Sequence, residues 1–164
     1  MKINILIKFD FMKKQNYTVK QIQAVDAYTI RHPVLRKGKP IESCIFDGDD
    51  LETTLHFGIY NTEELIGVCS LLKNNNPKFS ELNQYQLRGM AILQHQQGLG
   101  IGHILLKYCD TILKEEKTNL IWCNAREVAV NFYKRNGYRV IGHSFNIKGI
   151  GPHYVMKKQL NLSD

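Results

Sequence analysis

Proline, tryptophan and paired cysteines are scarce in this chain, and long apolar runs are missing altogether. Four prolines and one tryptophan in 164 residues leave no proline-rich tract, and no internal repeat or interdomain linker is visible. The four cysteines (Cys44, Cys69, Cys109, Cys123) stand far apart, without the paired spacing of a zinc site or a redox motif. They point to a reducing, cytoplasmic setting and no metal. No apolar segment reaches the roughly 18 residues needed to span a bilayer. The run Ile3-Asn4-Ile5-Leu6-Ile7 is too short for a secretory leader, and no small-residue cleavage site follows it.

What is present looks like an ordinary globular protein. Apolar residues make up 43% and charged residues 23%, and the length suits one domain over 1–164. Such a chain buries a core without external staples. The charge balance, 22 basic minus 15 acidic residues, is +7. The basic residues are scattered, which fits a solvated surface or an anionic ligand. No recognition helix or single-strand-binding motif argues for nucleic acid.

The order of elements is mixed α/β. Ile3–Phe9 reads as a strand. Thr18 offers an N-cap to a helix striped by Val19, Ile22, Val25 and Tyr28, ending before Pro33. Residues 32–50 form a loop-rich segment with an acidic group, Asp47 to Asp50. Leu55–Tyr60 and Leu65–Leu72 form a hairpin, and Asn74–Pro77 is a break. Tyr85–Leu93 is a strand that runs into a glycine-rich turn. The helix after Gly98 carries Ile101, Ile104, Leu105, Tyr108 and Ile112 on one face. A short buried strand at Leu120–Cys123, a compact helix and strands from Tyr138 and around Tyr154 complete the chain.

The richest stretch is Gln97-Gly98-Leu99-Gly100-Ile101-Gly102-His103, between a strand and an amphipathic helix. Alternate glycines let a ligand approach the backbone, and unpaired N–H groups in the first helical turn favour an anion. A pyrophosphate suits such a turn. The dinucleotide pattern G-x-G-x-x-G fails at His103 in one register and at Leu105 in the other, and no Gly-Lys completes a P-loop. A turn whose glycines serve only tight packing is the alternative.

A second stretch follows in Asn124-Ala125-Arg126-Glu127, which suits a capping box with Asn124 as N-cap. Val128 and Phe132 share a helix face that should enter the core, and Gly137 suits the C′ position. Tyr133 is turned about 100° from Phe132, so its ring can pack while its hydroxyl reaches a cleft edge.

Taken together, these blocks resemble the GNAT superfamily of acetyl-CoA-dependent N-acetyltransferases. Gln97 to Gly102 matches its Q/R-x-x-G-x-G/A signature. Leu87-Arg88-Gly89-Met90-Ala91-Ile92 resembles the strand leading into it, and Asn124 through Tyr138 resembles the second block. The resemblance is strong from about Tyr85 to Tyr138 and weaker over the first 50 residues. It implies an α/β (α+β) fold with a central mixed, mostly antiparallel sheet flanked by helices, its strands splayed at the cofactor cleft.

The resemblance also implies roles. The backbones of Met90, Ala91 and Ile92 would hold the pantetheine arm, an N–H near Ile92 would stabilise the oxyanion, and Gln97 to Gly102 with His103 would hold the pyrophosphate. Asn124 and Asn131 would touch the arm, unless Asn124 only caps. Tyr133 stands where the family places the acid that protonates the departing thiolate. The amine attacks the thioester directly, so Cys44 and Cys123 are packing residues. The signature does not fix the base. Residues alone offer His56, His153, Glu52 and the Asp47–Asp50 group, of which the two histidines titrate in the better range. Residues 28–56 would shape the acceptor site, where acidic groups favour a small amine or a protein amino group. A homodimer is compatible with such folds. A non-catalytic acyl-CoA sensor of the same fold is the other reading.

Overall fold

A computed structural model describes residues 16–160, and the strand expected over Ile3–Phe9 lies outside them. Tyr17–Ile22 (β1) is a strand rather than the first turns of a helix. Its aromatic and β-branched residues suit a pleated surface, and all six pair antiparallel with residues 56–61. The spacing of Val19, Ile22, Val25 and Tyr28 therefore straddles two elements, and tertiary pairing overrides the helical reading. Helix α1 runs Ala24–Leu35. Asp26 caps it by accepting the Gln23 N–H at 3.0 Å, and Val25 is exposed. The helix also continues through Pro33. In the last turn this proline forfeits only the bond to the Thr29 carbonyl, and the Arg36 N–H closes the end on His32 O at 3.1 Å.

A 3-10 turn over Ile41–Cys44 interrupts the loop-rich segment. Leu55–Asn61 (β2) and Glu64–Lys73 (β3) form the expected antiparallel hairpin. Strand β4 spans Gln84–Ile92, and helix α2 spans Ile101–Glu115 with Ile101, Leu105, Tyr108 and Ile112 buried. Leu120–Arg126 (β5), Val130–Arg135 (α3), Arg139–Ile147 (β6) and Gly151–Gln159 (β7) follow. The seven strands are ordered β1-β2-β3-β4-β5-β7-β6. Of the pairings described, β4–β5 alone is parallel. It covers only Gln84–Gln86 against Leu120–Trp122, whereas β5 stays paired with β7 as far as Arg126. None of the helices among the described residues is long and apolar enough to cross a membrane.

The chain divides into two compact units, one comprising residues up to Leu72 with Gly89–Tyr108, the other Lys73–Arg88 with residues from Cys109 onward. In the first, Ala27, Ile30, Val68 and Ala91 pack together, flanked by Ile22, Val34, Leu35, Leu65 and Leu93. Phe57 meets Tyr108 edge to face at 5.2 Å. Gly67 leaves room for the Ile92 side chain, since a Cβ there would lie 2.3 Å from Ile92 Cδ1. The Leu93 N–H then bonds Ile66 O at 2.9 Å. The end of β4 is thus pinned against β3.

In the second unit, Gln84 organises the connection before β4. Its carbonyl accepts the Asn76 N–H at 2.8 Å, and its amide donates to Glu81 O at 2.7 Å. Strand β5 extends three residues beyond Cys123, so Asn124 is exposed strand backbone opposite Val155 rather than a helix N-cap. Ladder bonds to β7 outweigh the local capping preference, and a 3-10 turn over Glu127–Ala129 intervenes before α3. The expected core face of that helix is also shifted. Val128 is 91% exposed, Phe132 is half-buried and Tyr133 is buried. Gly137 does terminate the helix, at φ +86°, with the Tyr138 N–H bonded to Tyr133 O at 3.1 Å.

Urea unfolding should separate these burial assignments. Leu105→Ala should cost about 2–5 kcal/mol. Val128→Ala should stay within about 0.5 kcal/mol of wild type.

Candidate functional site

The glycine turn lies between β4 and α2, in the first unit. A 3-10 turn over Gln94–Gln96 reverses the chain, and the exposed segment Gln97–Gly100 leads into the helix at Ile101. Gly98 and Gly100 adopt φ of +77° and +79°. A Cβ at either would meet no protein atom within 4 Å. Tight packing is therefore not what these two glycines serve. They supply left-handed backbone and leave an open approach to it. The Ile104 N–H bonds Gly100 O at 3.2 Å, and the first-turn N–H groups before it lack intrahelical acceptors by construction. Open glycine backbone at the positive end of a 15-residue helix fits a phosphate-bearing group.

The same unit brings Met90, Ala91 and Ile92 to this turn. Gln97 reaches back, donating Nε2–H to Ile92 O at 2.9 Å, so strand end and turn are tied together. Ala91 is buried, while Met90 and Ile92 are half-buried. Gln97 and His103 are exposed.

Tyr133, Asn124, Asn131 and His153 belong to the second unit. Tyr133 is 7% exposed, its ring held edge to face between Phe132 at 5.1 Å and Tyr138 at 5.3 Å. Asn124 and Asn131 are exposed. His153 is buried, and its Nδ1 lies 2.8 Å from Gly151 O. A carbonyl can only accept, so Nδ1 donates this bond, and in the neutral ring the lone pair falls on Nε2. Beneath Tyr133, burial pushes the Tyr138 phenol well above its ordinary range, helped by Cys123 and Asp110. The Tyr138 hydroxyl has no hydrogen-bond partner. Burial likewise raises the Cys123 thiol, and all four cysteines are buried and outside any disulfide. A thiol held in its protonated form is a poor nucleophile.

His56 is placed differently. It is buried in the first unit, with Nδ1 2.6 Å from Ser70 Oγ and Nε2 2.8 Å from Asp49 O. Ser70 also accepts from Arg31 at 2.7 Å, and Arg31 pairs with Asp49. Of the acidic group, Asp49 is therefore buried and neutralised, while Asp47, Asp50 and Glu52 remain exposed. The sequence reading passed over Arg31, Ser70 and this pairing. One signal was available: Arg31 follows Ala27 and Ile30 on the inward face of α1, where an unpaired cation could not be buried.

The acetyltransferase (GNAT) domain family matches residues 46–160. The uncharacterized N-acetyltransferase YitI of Bacillus subtilis (strain 168) is 37% identical over 145 residues, covering 88% of this chain and 97% of YitI. An aminoglycoside 6'-N-acetyltransferase solved with coenzyme A superposes with a TM-score of 0.71 at 11% identity, over 89% of this chain and 98% of its own. A GNAT family acetyltransferase from Elizabethkingia anophelis with acetyl-CoA bound gives 0.63 at 17% identity, over 90% and 100%. At these identities the two structures speak for the fold.

Tyr138 generates a pH prediction. Its folded pKa lies above the unfolded value of about 10, so the stability linked to its proton is complete below that pH and is lost as pH rises beyond it. The urea midpoint of wild type should fall more steeply above pH ~10 than that of Tyr138→Phe. Near pH 7 the variant, relieved of an unpartnered buried hydroxyl, should be no less stable, with a gain of up to about 1–3 kcal/mol.

Proposed function

The chain belongs to the GNAT family of acetyltransferases and is an acyltransferase, and from that premise we propose that it transfers acetyl from acetyl-CoA to a primary amine by direct attack. The observation that carries this reading is the turn at Gly98 and Gly100, with positive φ, no neighbouring atom where a Cβ would stand, and a helix N-terminus behind it. Acetyl-CoA supplies the activated acyl group as a thioester. Working as one domain in the cytoplasm, the chain supplies everything else.

In this reading the backbone N–H groups of Gln97 to Gly102, with His103 beside them, hold the pyrophosphate. The backbones of Met90, Ala91 and Ile92 hold the pantetheine arm, and an N–H near Ile92 takes up charge on the carbonyl oxygen as it becomes an oxyanion. Asn124 and Asn131 contact the arm. The His153 Nε2 lone pair removes a proton from the ammonium before attack. Nitrogen bonds the acyl carbon, the carbon–sulfur bond breaks, and the Tyr133 hydroxyl gives its proton to the departing sulfur. The close packing of Phe132 and Tyr138 on Tyr133 supports a fixed donor direction. With both ring nitrogens engaged, His56 acts by holding structure rather than as the base. Exposed Asp47, Asp50 and Glu52 favour a cationic acceptor, a small amine or a protein amino group.

Calorimetric titration should show saturable binding of acetyl-CoA and CoA but not NAD. Tyr133→Phe should keep that affinity and lose about 10²-fold or more in kcat on an acceptor found by amine screening. An inert turn in the folded protein would remove the cofactor reading. Unchanged kcat in Tyr133→Phe would remove the acid.

A further inference from the structure

The most heavily partnered side chain in the first unit is one that no signature names. Arg31 is 0% exposed. Its Nη1 donates to Asp49 Oδ2 at 2.5 Å and to Cys44 O at 2.9 Å. Its Nη2 donates to Ser70 Oγ at 2.7 Å and to Asp49 Oδ1 at 3.3 Å. Phe46 covers the guanidinium at 4.3 Å. The same carboxylate of Asp49 accepts the Phe46 N–H at 2.9 Å. One cation thus gathers α1, the segment Cys44–Asp49 and β3.

His56 closes the ring. Asp49 O can only accept, so Nε2 of His56 is the donor. Ser70 Oγ, which accepts from Arg31, also bonds Nδ1 of His56 at 2.6 Å. The resulting chain of bonds runs from Arg31 to Ser70 to His56 to the Asp49 carbonyl.

The remaining face of Arg31 meets the strand that leads to the glycine turn. Gly89 has φ +60° within β4, and a Cβ there would lie 2.5 Å from Arg31 Nε and 2.9 Å from Cζ. That Nε has no hydrogen-bond partner. The guanidinium therefore packs directly on the β4 backbone, one residue before Met90. Glycine is required at this point both by its φ and by the contact.

We propose that the Arg31–Asp49–Ser70–His56 cluster is a positioning device, which couples the segment Cys44–Asp49 to the backbone direction of Met90–Ile92. Arg31, Ser70 and Asp49 are buried and act through the backbone they hold. The inference deepens the acetyl-transfer reading, in which residues 28–56 shape the acceptor site and Met90–Ile92 hold the reacting thioester. A shift in the cluster would disturb both sides at once, leaving the phosphate-binding turn in place.

Hydrogen–deuterium exchange on the full ligand-free chain, read over residues 44–51 and 89–92, tests the coupling without requiring any activity. Ser70→Ala should speed exchange in both segments, and Ser70→Thr, which keeps the hydroxyl, should restore it. Gly89→Ala alters no residue of the loop, yet by displacing Arg31 it should speed exchange at 44–51. Exchange confined to the mutated segment in both Ser70→Ala and Gly89→Ala would overturn the proposal. If Ser70→Ala does not fold, Gly89→Ala decides alone by its effect at 44–51. In turnover, Ser70→Ala should lower kcat by roughly tenfold to 10²-fold with the KM for acetyl-CoA near wild type, and Ser70→Thr should recover it. Unchanged kcat in Ser70→Ala would overturn the catalytic part of the proposal. Failure of wild type to bind acetyl-CoA would instead sink the acetyl-transfer reading, and the exchange arms would still decide the coupling.

Discussion

A guanidinium removed wholly from water needs its charge neutralised and its terminal N–H groups bonded, and Arg31 imposes that demand on its surroundings. A buried ion pair seldom adds net stability, because desolvation offsets most of the attraction, but loss of one partner leaves an uncompensated charge. The constraint is consequently one of arrangement. Asp49 must turn inward, the Cys44 carbonyl must face α1, Ser70 must sit at its position on β3, and β4 must carry glycine at residue 89. A chain in which these conditions held only in part would bury an orphaned charge. The geometry of the first unit is specified more sharply by this network than by its apolar contacts, which tolerate repacking.

Function draws on a different property, the freedom of backbone groups that secondary structure leaves unpaired. Strand β4 pairs with β5 over three residues only, and its later residues end at a turn of left-handed glycines before α2. Each feature leaves polar backbone available to a ligand, which ordinary sheet and helix interiors do not. In the second unit the aromatic pair Phe132 and Tyr138 holds Tyr133 by ring contacts that carry no charge. In the proposed acetyl transfer, anion binding and proton donation rest on backbone dipoles and on the Tyr133 hydroxyl.

Much of this was legible beforehand. Elements whose period matched one neighbour environment, the β2–β3 hairpin and the buried stripe of α2, were found as the pattern predicts. So were the glycine turn and the C′ glycine, because positive φ restricts the residue type. The misreadings occurred where a partner distant in sequence decided the outcome. Pairing with β2 made Tyr17–Ile22 a strand, and pairing with β7 carried β5 through Asn124 and displaced the helix start. That displacement leaves Val128 exposed in the turn before the short helix, whose buried residue is Tyr133.

Residues close together along the chain set which local chemistries were possible. Gly98, Gly100 and Gly102 beside an amphipathic stripe mark a glycine turn opening a helix, and the block from Asn124 to Tyr138 resembles the family's second block, since both depend on neighbours within a few residues. Tertiary structure alone decided that His56 faces Ser70 and Asp49, that Asp49 leaves the exposed acidic group, and that Arg31 lies against Gly89. The side-chain bonds of this cluster join residues 7 to 39 positions apart along the chain. No periodicity encodes such pairs. They are selected by the cost of leaving a buried charge or polar group unanswered once the sheet has brought its strands together.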